Sequence, residues 1–195
     1  MNRLRIATLL LAVAGASTGC GGNTQGDSAS PVYLTVDFSL RPAQKNVNDG
    51  VPLQFQTVTI TSKLKDPTTT SPTAFLDTQL DTYAVVWTRI DGGKTASPTQ
   101  TFAPGVIVPA GGISTLQNYV FMSAAELQQP PLSYLFPYNG GVDPETHTSE
   151  IRQTGTVTLY GHTMSGQPVT SVPAAFDMIF VYSATAGRIQ MRPAR

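Results

Sequence analysis

Most of the reactive chemistry in this 195-residue chain is held by one cysteine, two histidines and a short acidic run. Cys20 is the only thiol, so no disulfide, haem-attachment or zinc-finger framework can form within the chain. In an exported protein a lone thiol is either left reactive or consumed by modification. The histidines are His147 and His162, and any Ser-His-Asp site would have to use one of them as its base. There is no G-x-S-x-G elbow and no H-E-x-x-H. His162 stands beside turn residues, where a solvated imidazole is the simplest reading. The chain is therefore expected not to be an enzyme, and a hydrolase with an unrecognised site is the third-ranked reading.

Two further clusters offer binding chemistry. In the segment 143–150 (DPETHTSE), Asp143, Glu145 and Glu150 could supply carboxylate ligands to calcium, which takes oxygen donors from alternate positions of a loop. The segment lacks the central glycine and ligand density of an EF-hand, and a solvated hairpin loop is the competing reading. In 133–138 (SYLFPY), Tyr134, Phe136 and Tyr138 alternate beside glycines and could form a stacking platform for a sugar or a protein-docking surface. The same rings could instead cover the end of a core. Gly92-Gly93-Lys94 lacks the spacing of a phosphate-binding loop.

Residues 1–19 have the three parts of a secretory signal: basic Arg3 and Arg5, an apolar run over 6–16, and small residues up to a cleavage point. That run is shorter than the roughly 20 residues needed to cross a bilayer. Ser17-Thr18-Gly19-Cys20 resembles the lipobox of bacterial lipoproteins, with Ser17 where that family usually carries Leu. The resemblance implies a covalent diacylglycerol on the Cys20 thiol, cleavage just before it, and an N-acyl chain, typically palmitate, on the new terminus. Gly21 rather than Asp after the cysteine implies an outer-membrane address in a Gram-negative envelope. Residues 20–30 are then the lipidated cysteine and a Gly/Ser-rich flexible tether, spanning on the order of 17 Å as a coil.

Cleavage would remove Arg3 and Arg5, leaving 10 basic against 12 acidic side chains and a formal charge of −2. A near-neutral domain without a basic run has no electrostatic reason to bind nucleic acid. Residues 31–195 are expected to form one domain, long enough to bury a sizeable core.

Period-two alternation marks a strand over 32–40, where Val32, Leu34, Val36, Phe38 and Leu40 alternate with polar residues. In a second strand, 53–64, the apolar phase shifts between Phe55 and Val58, which predicts a bulge near Gln56 or Thr57. A third, 80–90, is apolar on both faces and is expected at the centre of a sheet, with Trp87 as a core anchor. Further strands are expected over 106–108, 113–122, 154–162, 168–172, 176–182 and, as a last edge, 189–191. Ser123-Ala124-Ala125-Glu126 fits a capping box opening a helix of about two turns that Pro130-Pro131 would stop.

About nine short strands with Gly/Pro turns and almost no helix predict an all-β, antiparallel β-sandwich with one short helix. The strand 156–162 (TVTLYGH), the turn Ser165-Gly166-Gln167 and the return through Pro168-Val169 resemble the closing hairpin of bacterial immunoglobulin-like domains. That resemblance implies an immunoglobulin-like sandwich without the antibody cysteine pair. The leading expectation is a membrane-anchored envelope lipoprotein with a non-enzymatic structural or protein-binding role, held to the membrane by lipid and able to meet an envelope protein partner. A carbohydrate-binding module using the aromatic row is the alternative. No cofactor is expected beyond the Cys20 lipid, with calcium at 143–150 as the one candidate ion.

Overall fold

The computed structural model describes residues 30–184 apart from 41, 67 and 69–71; Cys20, the signal and tether segments up to residue 29, and the expected strand at 189–191 lie outside the described residues. Ten strands follow in order: β1 (Val32–Leu40), β2 (Gln44–Asn46), β3 (Leu53–Leu64), β4 (Thr78–Arg89), β5 (Gln100–Phe102), β6 (Val106–Val108), β7 (Ile113–Met122), β8 (Glu150–Thr163), β9 (Pro168–Thr170) and β10 (Ala174–Val181). A three-stranded sheet has the order β1-β3-β7. A seven-stranded sheet has the order β2-β10-β8-β4-β5, with β6 also on β4 and β9 also on β8. Among the described residues the pairs are antiparallel except β2 with β10, which run parallel at Gln44 to Asn46 against Ile179 to Val181.

The expected short helix is corrected. Among the described residues there is no α-helix, and the segment after Ser123 forms only a 3-10 turn at Glu126–Gln128. Half of the capping box is present, since the Glu126 amide donates to Ser123 Oγ at 3.2 Å. Pro130 and Pro131 arrive too soon for a second turn to build intrahelical bonds. More 3-10 turns follow at Leu132–Leu135 and Pro137–Asn139.

The phase shift in β3 is real, but β3 carries no extra residue at Gln56 or Thr57: its register with β7 is constant from Gln54 to Thr61 and shifts between Leu53 and Gln54, and the irregularity with β1 lies between Asp37 and Leu40. Leu53 and Phe55 are buried, Gln56 and Thr57 both turn away from the core, and burial resumes at Val58 and Ile60. Opposite Gln56, between the paired positions Tyr119 and Gln117 of β7, Asn118 takes a φ of 54°. β4 takes the expected place inside a sheet, though its two apolar faces are not equally buried. β4 is flanked on both edges, but Val86 and Ile90 are 46% and 52% exposed. Leu80 reaches the core through an irregularity between Leu80 and Thr82, which brings both Leu80 and Tyr83 inward.

One aromatic cluster joins the sheets. Phe38, Phe55 and Phe121 come from the small sheet and Phe176 from the large one, with ring centroids between 4.3 and 5.6 Å apart. Trp87 anchors it from β4, edge-on to Phe176 at 5.5 Å and to Phe180 at 5.7 Å. Edge-to-face geometry suits ring quadrupoles and adds to the gain from burial. Gly155 of β8 lies beneath these rings: a Cβ there would stand 2.6 Å from Phe176 Cζ and 2.9 Å from Trp87 Cζ3. The glycine in the period-two pattern of β8 therefore makes room for two aromatics.

The strand directions give the molecule two poles. At one, β1 begins opposite the end of β3 (Val32 against Leu64), and β4 begins opposite the ends of β8 and β6 (Thr78 against Thr163 and Val108). Ser30 lies at this pole, where the Pro31 carbonyl accepts the Lys65 amide at 2.8 Å. At the other pole β4 ends at Arg89 and β8 begins at Glu150.

Candidate functional site

The inward register of β4 runs Tyr83, Val85, Trp87 and then Arg89, so a guanidinium is delivered to the rim of the core at the far pole. Its side chain is 2% exposed, and a cation there requires partners. Nε and Nη2 donate to the two oxygens of Asp91 at 2.7 and 2.9 Å, a bidentate pair. Nη2 also donates to Asp143 Oδ2 at 2.8 Å, and Nη1 to the Thr95 carbonyl at 3.1 Å. Asp143, 1% exposed at its side chain, accepts further from the Thr146 amide at 3.0 Å and hydroxyl at 2.7 Å. Asp91 accepts from the amides of Gly93 at 3.2 Å and Arg152 at 2.8 Å.

These contacts fasten the loop after β4 to the segment before β8. Glu145 continues the fastening by accepting from the backbone amides of Lys94 and Thr95 and from the Thr95 hydroxyl. Gln153 completes it from β8, accepting the Ser97 amide and donating to Ser97 Oγ, both at 2.9 Å. Gly93 is required for close approach, since a Cβ there would lie 2.3 Å from the Arg89 guanidinium carbon.

Burial alone would push the Asp91 and Asp143 carboxyls up, but hydrogen bonds from Arg89, with amides or Thr146, outweigh it and hold both below the usual carboxylate range. Burial likewise disfavours the charged Arg89, and its two carboxylate partners reverse this and raise its pKa. Glu145 is lowered by the Thr95 hydroxyl and the two amides it accepts from. All four groups are thus held in their charged forms. The arrangement locks two loops together and offers no free base to a substrate.

The calcium candidates are not brought together. Asp143 turns to Arg89, Glu145 to Lys94 and Thr95, and Glu150 to Arg152, at 2.6 Å between Glu150 Oε1 and Arg152 Nη2. Among the described residues no three His, Cys, Asp or Glu side chains group so as to hold a metal ion. A cation beside Asp143 would also face the Arg89 charge.

The aromatic row does not form a platform. The 3-10 turns, one opening at Pro137, break the alternation that an extended chain would give. Phe136 is 5% exposed and packs on Tyr182 at 5.5 Å, Tyr134 is half-buried, and Tyr138 alone stands out at 77%. His162 Nδ1 lies 2.9 Å from Asp81 Oδ2, with both side chains about half exposed, and His147 is exposed at a φ of 57°. The described contacts of His162 include no hydroxyl that it could activate.

Arg89 and Asp91 are the site residues that sequence reasoning missed. The signal was available: an arginine in phase with Tyr83, Val85 and Trp87 points into the core and must find carboxylates. Asp91 stands in Asp91-Gly92-Gly93, whose residue types suit a turn and by themselves announce no ion pair.

No family model and no curated protein matches the chain. Among solved structures, it is similar to the solution structure of a late embryogenesis abundant (LEA) protein, at 9% sequence identity and a TM-score of 0.36, over 77% of this chain and 71% of that one.

Proposed function

We propose that the chain is an exported lipoprotein, anchored through a diacylglycerol and an N-acyl chain on Cys20, whose β domain has a non-enzymatic structural or protein-binding role in the cell envelope. The observation that carries this is the apolar run over 6–16, preceded by Arg3 and Arg5 and closed by Gly19-Cys20. Consistent with an anchored module, the sheets and core of the described residues are assembled from Val32 onward. Ser30 is ten positions after Cys20, so their Cα atoms can be at most about 35 Å apart. The far pole, with its fastened loops, is the surface such an anchor would present away from the lipid. Rigid loops on a sheet scaffold suit recognition, because little order remains to be gained on binding.

The finer fold assignment within this proposal is immunoglobulin-like. Its support is the hairpin of β8 and β9, which pairs Tyr160, Gly161 and His162 with Thr170, Val169 and Pro168 around a turn containing Gly166 at a φ of 87°. The parallel β2–β10 pair is a departure from an all-antiparallel sandwich. Outer-membrane placement in a Gram-negative host belongs to the same proposal and rests on Gly21.

Cys20→Ser provides the test. The wild type is expected to sediment with membranes through a high-salt wash, and the variant to be released. A variant that still sediments would overturn the anchor.

A further inference from the structure

We infer that the pole from which the chain leaves toward Cys20 is a lipid-contacting surface, with Phe75, Ile113 and Met164 resting on the bilayer interface. This rests on the anchored reading above and adds an orientation to it.

The three side chains are 70%, 62% and 51% exposed, respectively. Their loops meet at one end of the molecule. The Ser165 amide donates to the Phe75 carbonyl at 3.0 Å and the Met164 amide to the Asp77 carbonyl at 2.8 Å, which sets the β8–β9 turn against the 3-10 turn at Ala74–Leu76. Asp77 Oδ1 accepts the Ala110 amide at 2.9 Å, tying in the β6–β7 connection that leads to Ile113. That connection reaches the entry strand: the Ser62 amide donates to the Gly112 carbonyl at 2.9 Å, and Ile113 pairs with Thr61 on β3, the neighbour of β1. Ile107, 47% exposed, adds a fourth apolar group, with its carbonyl accepting Ser114 Oγ at 3.0 Å.

Exposed apolar side chains also occur at the far pole, Tyr138 and Ile90 among them, and charged residues stand at both poles, Lys63, Lys65 and Asp66 at the near one and Lys94, Glu145 and Arg152 at the far one. What singles out the near pole is the covalent route. Ser30 lies there, and the ten residues back to Cys20 limit its distance from a lipidated terminus to about 35 Å. β8 alone, at 14 residues, extends about 45 Å, so the two poles cannot approach the lipid equally in an upright molecule. A phenylalanine, an isoleucine and a methionine held within reach of the headgroups gain by entering the interface, as the apolar face of an interfacial element does.

The test uses the full chain isolated from membranes and reconstituted in phosphatidylcholine vesicles with or without brominated acyl chains, which quench tryptophan on contact. Phe75→Trp and Tyr138→Trp place a reporter at each pole, and buried Trp87 adds the same background to both. The bromolipid is expected to quench the reporter at position 75 about twofold while leaving that at 138 within about a tenth of its unquenched intensity. Equal quenching at both positions, or none at 75, would overturn the orientation. The mass of the N-terminal peptide from the same preparation separates the two failures. Lipid on Cys20 with no quenching at 75 defeats the orientation alone, whereas an unmodified Cys20 defeats the anchor and the orientation together.

Discussion

Arg89→Ala is expected to cost about 3–5 kcal/mol of folding stability, because it strands Asp143 in the protein interior without its counter-charge. The Asp143 side chain is 1% exposed, and among the described residues Oδ2 accepts from Arg89 and Thr146 while buried Oδ1 has no hydrogen-bond partner. For a domain whose whole stability is about 5–15 kcal/mol, that is a large fraction. Urea unfolding of the variant against the wild type measures it, and a change within about 0.5 kcal/mol, as for ordinary surface sites, would contradict the role given to Arg89. The same pair sets the response to acid. The folded-state pKa values of Asp91 and Asp143 lie below their unfolded values, so as pH drops through about 4 the unfolded chain takes up protons that the folded one does not. Their stabilisation is complete above that range and is lost progressively as pH falls toward the depressed folded-state values. In Arg89→Ala the acid limb should be shallower, since the guanidinium that depresses both carboxyls is gone.

Phe55→Ala is expected to cost a comparable 3–5 kcal/mol, roughly, through lost burial and the cavity left behind. Phe55 is fully buried and its ring lies 4.3 Å from Phe121, 4.7 Å from Phe176 and 5.5 Å from Phe38. Three of these four rings come from the small sheet and one from the large, so the substitution weakens the joint between the sheets rather than one strand. A lower urea midpoint with an unchanged slope is the expected outcome. A loss below about 1 kcal/mol would mean that the cluster is not the joint described.

The strands with strong alternation were legible in the sequence. β1, β3 and β7 were expected over 32–40, 53–64 and 113–122, and stand at Val32–Leu40, Leu53–Leu64 and Ile113–Met122. Period two survives in β1 and on either side of the shift in β3, where one face meets the core, while β7 keeps its place with a broken alternation, Gln117 and Asn118 both exposed and Phe121 and Met122 both buried. β2 and β5 were not legible, since Gln44-Lys45-Asn46 and Gln100-Thr101-Phe102 are mostly polar, whereas β6, equally short, is marked by Val106-Ile107-Val108. β8 was expected over 154–162 but begins at Glu150, because Ile151 and Gln153 continue its inward face with a polar member. The candidate site was half legible. Asp143 and Glu145 stood out as acids in a loop, yet they serve partners fifty or more positions earlier in the chain, so nothing in their own segment points to Arg89, whose signal lies in the phase of β4. The aromatic row misled because spacing in sequence becomes a shared face only where the backbone is extended, and Pro137 sits at the start of a 3-10 turn.

Mass spectrometry of the N-terminal peptide of the protein extracted from membranes tests the anchored reading most directly. A chain beginning at Cys20, carrying a diacylglycerol on sulfur and an acyl chain on the terminal amine, is the expected result. A chain beginning at any other residue, or one with a free Cys20 thiol, would contradict it.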